Sequence, residues 1–290
     1  MQGRSLLFGN RMLDNRTHPE PMNNSFRLIT YNIRYDNPAD GDNAWAYRCA
    51  AVAALLQQYA PDLIGLQEVL KAQLADLTAT LLDFAWVGVG REDGQTQGEY
   101  APIFYRHARF ELLATDTFWL SKTPEQPGSF GWDAACVRIA TWARLRDKQS
   151  GATLLMLNTH FDHRGQQAQV ESAHLVRTFL NAQSPPSPAI ITGDFNCTAQ
   201  SSAYQQLTTA AEMTGSPLLD SQFAAQTPHR GPSATFNTNF ADPLHEKIDF
   251  VFIWPGDTFG IQQHAILDEQ TQGRYPSDHL PILVELALAA

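Results

Sequence analysis

Four short apolar runs in this chain end in side chains that carry chemistry, and no other feature constrains the fold as much. Three of them lead into polar residues: Leu28-Ile29-Thr30-Tyr31-Asn32, Leu155-Met156-Leu157-Asn158-Thr159-His160 and Ile190-Ile191-Thr192-Gly193-Asp194-Phe195-Asn196. The fourth runs the other way, with Ser277-Asp278-His279-Leu280-Pro281 opening into Ile282-Leu283-Val284. Short apolar runs bounded by turn residues read as buried strands. A polar pair at a strand mouth is costly to bury unless it has work to do.

The rest of the chain extends this pattern. Strand-like segments at 26–33, 63–66, 85–89, 102–105, 110–119, 137–145 and 153–160 are interrupted by helical periodicity at 46–59 and 71–82. Further helices are expected at 166–181 and 201–211, and further strands at 189–192, 248–253, 261–267 and 281–286. In the first helix Val52, Leu55, Leu56 and Tyr59 share a face, and Pro61 ends it. Mixed strands and helices without a boundary predict one α/β domain over 25–290, with two packed mixed β-sheets flanked by helices. Pro185, Pro186 and Pro188 read as a loop rather than a linker. Residues 1–24 are polar and are expected to form a flexible leader, with Met22 a candidate start. Two irregular stretches, 121–135 with Phe130 and Trp132, and 215–246, are expected to wall the pocket.

Composition narrows the function classes. The formal net charge is -10, so the molecule as a whole lacks the basic footprint of a sequence-independent DNA binder. Three cysteines without a C-x-x-C pair argue against a disulfide framework or zinc knuckle and fit a reducing, cytoplasmic setting. No apolar run approaches the roughly 20 residues needed to span a bilayer, so no membrane partner is expected.

The polar residues at strand ends form one inventory: Asn32, Glu68, His160, Asp162, Asp194, Asn196, Asp249, Asp278 and His279. Carboxylates and amides dominate. That set suits Mg²⁺ or Mn²⁺ rather than zinc. Asp194 and Asn196 share a face if the strand continues through them, and a turn is the competing reading. Asp249 is a charge inside an apolar strand, and His279 needs a carboxylate to fix its tautomer. The two requirements meet if they face each other. Glu68 is the best single metal ligand, against the reading of a helix-start acid. His160 ends a strand as ligand, cap or core residue, with Glu99 its candidate partner. Mg²⁺ is usually held by one or two carboxylates together with substrate phosphate oxygens, and Arg138, Asp162 and Arg164, with Asn32, are the candidates to hold such a phosphate, with Arg34 and His163 in addition. A structural salt bridge is the competing fate of these arginines.

In this order, Asn32, Leu-Gln-Glu68, Asn-Thr-His160, Gly-Asp194-Phe-Asn196, Ile-Asp249-Phe and Ser-Asp278-His279 resemble the endonuclease/exonuclease/phosphatase superfamily of DNase I-like enzymes. The resemblance covers about residues 26 to 288 and is nearest a bacterial branch with some similarity to deadenylase and nocturnin-like enzymes. It implies a four-layered α/β sandwich with a Mg²⁺ site at one end of the sheets. It also implies roles. Glu68 holds the metal with Asn32 and, through water, Asp278. Asp194 deprotonates the attacking water, and Asn196 and Asn32 hold a phosphoryl oxygen. His160, and His279 paired with Asp249, donate to phosphoryl oxygens. The basic DNA-gripping loops of abasic-site nucleases have no counterpart, which disfavours duplex DNA.

The expected substrate is therefore a small phosphorylated sugar or nucleotide, cleaved by a phosphatase or phosphodiesterase. A nuclease is the alternative, either a 3′–5′ exonuclease on single-stranded nucleic acid or a DNase-like endonuclease. It would need a basic channel with stacking aromatics. A third reading, a binding module that has lost catalysis, conflicts with the intact residue set.

Overall fold

The computed structural model describes residues 24–183, 187–210 and 216–288. The expected leader apart from Asn24 lies outside them, as do Pro185, Pro186 and the last residue of the helix expected to reach 211.

Two six-stranded sheets form the centre. The first draws on both ends of the chain. It contains β1 (Ser25–Asn32), β2 (Leu63–Gln67), β3 (Phe84–Val87), β4 (Ile103–Arg106), β11 (Phe259–Ile266) and β12 (Ile282–Leu288), in the order β11-β12-β1-β2-β4-β3. The second is built from one continuous stretch: β5 (Phe110–Trp119), β6 (Ile139–Asp147), β7 (Thr153–His160), β8 (Ala189–Asp194), β9 (Leu219–Asp220) and β10 (Asp249–Trp254), in the order β5-β6-β7-β8-β10-β9. β1 runs parallel to β2 and β7 parallel to β8. The other neighbours are antiparallel, so both sheets are mixed. β1 and β12 pair with Ser25 opposite Ala287.

Strand alternation sorts the core into layers. Phe26, Leu28, Leu63, Met156, Ile190, Val251 and Ile282 fill the space between the sheets. Ile29, Tyr31, Ile64 and Leu66 face outward, beneath α1 (Trp45–Tyr59) and α2 (Lys71–Thr80), which contribute Val52, Leu55, Leu56, Leu74 and Leu77. On the far side Leu155, Leu157 and Ile191 pack under α3 (Gln166–Asn181) and α4 (Ser202–Thr208). The result is the expected four-layered sandwich. Tyr31 is buried beneath the first helices, because it alternates with the inward-facing Thr30 and Asn32. The described part of the irregular stretch holds β9 and a single helical turn, α5 (Ser221–Ala224), rather than loop alone.

Toward one end the space between the sheets becomes polar. Asn158 of β7 donates to the carbonyls of Leu66 at 2.7 Å and Pro102 at 3.0 Å. Its Oδ1 accepts from Gln67 Nε2 at 2.7 Å and Thr192 Oγ1 at 2.9 Å. The sheets come close here because position 65 is glycine. A Cβ on Gly65 would stand 2.5 Å from Thr192 Oγ1 and 2.6 Å from Asn158 Oδ1. Satisfied polar networks of this kind fix one register between packed elements. They set the spacing at which the two halves of the site meet. Among the described residues no helix is long and apolar enough to cross a membrane.

Candidate active site

Strands end together at this polar end, around a cleft of about 650 Å³. The backbone turns sharply as it leaves them. Arg34 (φ 57°), Glu68 (φ 61°) and Asn196 (φ 48°) all adopt left-handed conformations, which non-glycine residues rarely do. Such strain costs about 1–3 kcal/mol per residue and persists only where surrounding contacts over-determine it. Side-chain and backbone hydrogen bonds do so here. Glu68 Oε1 accepts from Asn32 Nδ2 at 3.1 Å and Oε2 from Tyr35 N at 3.0 Å. Asn196 N donates to Asp194 Oδ1 at 2.9 Å. Both readings of Asp194-Phe195-Asn196 thus hold in part: Asp194 closes the strand, a turn follows, and both side chains still line the cleft.

Asp194 is the hub. Its Oδ2 accepts from Asn32 Nδ2 at 2.9 Å, lies 3.3 Å from His160 Nε2 and 3.7 Å from His279 Nε2. Burial first, and then the charge of Asp249, lift its pKa to about 7. That places a base near neutrality, where general-base catalysis is most effective. The expected pairing of His279 with Asp249 is present, with Nδ1 2.8 Å from Oδ2 and both side chains buried. Burial pulls the imidazole pKa down, but Asp249 and then Asp194 outweigh it and raise it to about 10. His279 is therefore a charged donor. Phe236 packs on its ring, with centroids 5.0 Å apart.

His160 has a different partner from the one expected. Its Nδ1 meets Arg138 Nη1 at 3.0 Å. Glu99 stands behind that guanidinium, 3.8 Å from Arg138 Nη1 and 2.5 Å from Arg91 Nη1. Burial, then Arg138, hold the His160 pKa well below its usual value. Burial raises the pKa of Glu99 against the opposing charge of Arg91.

The metal side consists of oxygens. Glu68 and Asp278 line the cleft, and buried Asn32 bridges Glu68 to Asp194 beneath them. Burial pushes the Asp278 pKa up. His279 opposes this, and the charge of Glu68 adds to it. The cleft wall carries three arginines (Arg34, Arg91, Arg138) against six carboxylates (Asp40, Glu68, Glu99, Asp194, Glu246, Asp278). Glu68 and Asp278, both lining the cleft, offer the hard oxygens that a divalent cation takes. Asp194, Asp249 and His279 also cluster within 4.8 Å, with Asp249 Oδ2 hydrogen-bonded to His279 and Asp249 Oδ1 buried without a hydrogen-bond partner.

A sequence model of the Endonuclease/Exonuclease/phosphatase family matches residues 29–279, from β1 through to His279. The chain belongs to that family. It is thereby grouped with phosphoester hydrolases. Among solved structures it resembles an endonuclease/exonuclease/phosphatase from Bacteroides vulgatus, with 40% identity and a TM-score of 0.85 over 91% of this chain and 99% of that one. The mannosyl-6-phosphatase Bt3783 of Bacteroides thetaiotaomicron is 33% identical, with a TM-score of 0.83 over 91% of this chain and 100% of that one. The catalytic domain of human nocturnin shares the fold at 18% identity, with a TM-score of 0.69 over 91% and 94% of the two chains. An uncharacterized protein of Acanthamoeba polyphaga mimivirus is 25% identical over 265 residues, 77% of this chain. The chain spans 37% of that relative's length.

Three assignments made from sequence fail on geometry. Asp162 does not line the cleft. It accepts from the backbone N–H groups of Ala135 (2.9 Å), Cys136 (3.2 Å), Arg164 (2.9 Å) and Gly165 (2.8 Å). Burial raises its pKa, but these donors outweigh that and hold it low, so it remains an anion that organises its own turn. Arg164 is exposed and lies outside the cleft lining. The loop 121–135 does not wall the cleft either. Asp133 accepts from Gln167 N at 3.2 Å and Ala168 N at 2.7 Å, which fastens the loop to the start of α3. The second expected wall is present, as Phe236, Thr238, Phe240 and Glu246. Arg91 is a cleft residue that the sequence motifs do not include. The glycines at 90, 94 and 98 around it are the available signal of a closed loop, which Gly90 N to Gln95 O and Glu92 N to Gln97 O hold together.

Proposed function

We propose that this protein is a Mg²⁺-dependent phosphatase or phosphodiesterase acting on a small phosphorylated sugar or nucleotide, with a sugar phosphate favoured. Asp194 carries this reading: a buried carboxylate with its pKa raised to about 7, at the floor of a cleft and flanked by two histidines. In this role Asp194 takes a proton from water as the water attacks phosphorus. Asn32 and Asn196 N hold the two oxygens of its carboxylate so that its free lone pair faces the cleft. His279, charged, and His160 supply hydrogen bonds as negative charge gathers on the phosphoryl oxygens. Glu68 and Asp278, with Asn32 between base and ligands, would hold the Mg²⁺. When bound, the ion supplies Lewis-acid stabilisation of phosphoryl charge.

The size and charge of the cleft support a small substrate. At about 650 Å³ it is of a size suited to a small molecule. Glu246 in its wall would repel the successive phosphates of a polynucleotide, and the carboxylates of Asp40, Glu99 and Glu246 would accept hydrogen bonds from sugar hydroxyls. Similarity to a mannosyl-6-phosphatase points the same way. A panel of hexose phosphates, nucleotides and short single-stranded oligonucleotides, assayed with Mg²⁺ and with Mn²⁺, tests it. Hexose phosphates are expected to be the preferred substrates. Preferential oligonucleotide cleavage would replace this reading with the nuclease.

A further inference from the structure

Arg138 lies just before β6, almost fully buried, and its guanidinium forks between two imidazoles. Nη1 lies 3.0 Å from Nδ1 of His160, and Nη2 lies 3.2 Å from Nδ1 of His163. A guanidinium donates through five N–H groups and accepts nothing. Each contact is a hydrogen bond only if the facing Nδ1 is a bare lone pair, and each ring then carries its proton on Nε2.

His160 tests this logic, because a second donor approaches it. Asn196 Nδ2 lies 2.9 Å from Nε2. The ring has one proton and cannot accept at both nitrogens. Asn196 Nδ2 has another acceptor in Phe161 O at 3.0 Å, while an Nε2 proton finds Asp194 Oδ2 at 3.3 Å. Placing the proton on Nδ1 would instead set N–H against a cationic N–H. In either tautomer one ring N–H faces a donor, and opposing the charged guanidinium is costlier than opposing the neutral amide, so the Arg138 contact favours the proton on Nε2.

We propose that Arg138 is a positioning residue that locks His160 and His163 together as neutral Nε2–H donors, the first aimed at the reacting phosphoryl group and the second at the rest of the substrate. What the two donors meet rests on the proposed hydrolase reading; the tautomers do not. The arrangement is the reverse of His279, where a carboxylate at Nδ1 makes the ring a cation. Glu99 steadies the fork from behind. Arg138 Nε is buried without a partner, so it adds nothing to the fork's orientation, which the two imidazoles and Glu99 set. Burial and the charge of Arg138 both disfavour protonation of either ring.

The test is long-range ¹H–¹⁵N NMR on the full chain, labelled with ¹⁵N-histidine, at about pH 7. His160→Gln and His163→Gln variants assign the signals. Both rings are expected to show an unprotonated Nδ1 and a protonated Nε2. Arg138→Lys should retain this pattern, and Arg138→Met should lose it and lower kcat roughly tenfold to a hundredfold. His163→Gln should raise KM more than it lowers kcat. A protonated His160 Nδ1 in the unsubstituted protein overturns the proposal, as does an unchanged pattern in Arg138→Met. If Arg138→Met does not fold, the unsubstituted spectrum still decides. Lack of activity on every phosphoester would sink the hydrolase reading and leave the tautomers standing.

Discussion

His279 reaches from the first sheet across to Asp249 of the second, and the bond between them, 2.8 Å long, crosses the two sheets inside the active site. Its chemical effect is to keep an imidazolium charged beside a base that works near neutrality. Asp194 must lose its proton to act, and its pKa is raised to about 7. His279 must keep its proton, and its pKa is raised to about 10. The expected profile of kcat/KM therefore rises as pH passes about 7, holds a plateau, and falls as pH passes about 10. Asp249→Asn removes the carboxylate that does most to keep the imidazole charged. The alkaline limb should move down by at least about one pH unit, and kcat should fall roughly a hundredfold or more. A limb that stays in place would mean that another group sets it.

Asp194→Asn keeps the size and shape of the side chain but cannot take a proton. Turnover should drop by more than about a thousandfold, with the circular dichroism spectrum and thermal transition preserved. Turnover within tenfold of the parent would end the assignment of Asp194 as base.

Glu68→Gln retains a hydrogen-bonding group but loses a charge from the metal side. The Mg²⁺ concentration needed for half-maximal activity should rise by at least about tenfold, read from a metal titration after chelation with EDTA. Unchanged metal dependence would move the ligand elsewhere.

Gly65→Ala tests the docking of the sheets. Its methyl would press against Thr192 and Asn158, where the polar network leaves no slack. The expected cost is about 1–3 kcal/mol, seen as a lower urea midpoint with an unchanged m-value. A neutral substitution would show that the sheets part there with ease.

Much of this site is legible in the amino-acid sequence, because its groups sit where periodicity is strongest. Asn32, His160, Asp194, Asp249 and Asp278-His279 lie at or next to strand ends, and the need of a buried charge for a partner is enough to join Asp249 to His279. What escapes lies where no period operates. Arg91 comes from a loop. Asp162 follows His160 in the same short motif, yet two backbone donors of the turn after β7 and two of the loop before β6 converge on it, and no side-chain pattern encodes that. Trp132 draws attention to 121–135 through its aromatic character, while the residue that places the loop is its neighbour Asp133. A carboxylate is the partner to expect for His160, because that is how imidazoles are usually fixed. Arg138 holds that position instead, nine residues before Asp147 at the far end of β6.

Ser25 and Ala287 stand opposite each other in the first sheet, so both described ends of the chain lie side by side, on the far edge of a core whose second sheet comes from its middle. The gene order is thus a linear cut through an architecture that is nearly a ring. A permuted gene that joins these ends and opens in the turn between β6 and β7 would keep every catalytic group in its place. Loss of β1 or β12 would remove a strand that leads to the metal side and leave the general base on a sheet without its full partner.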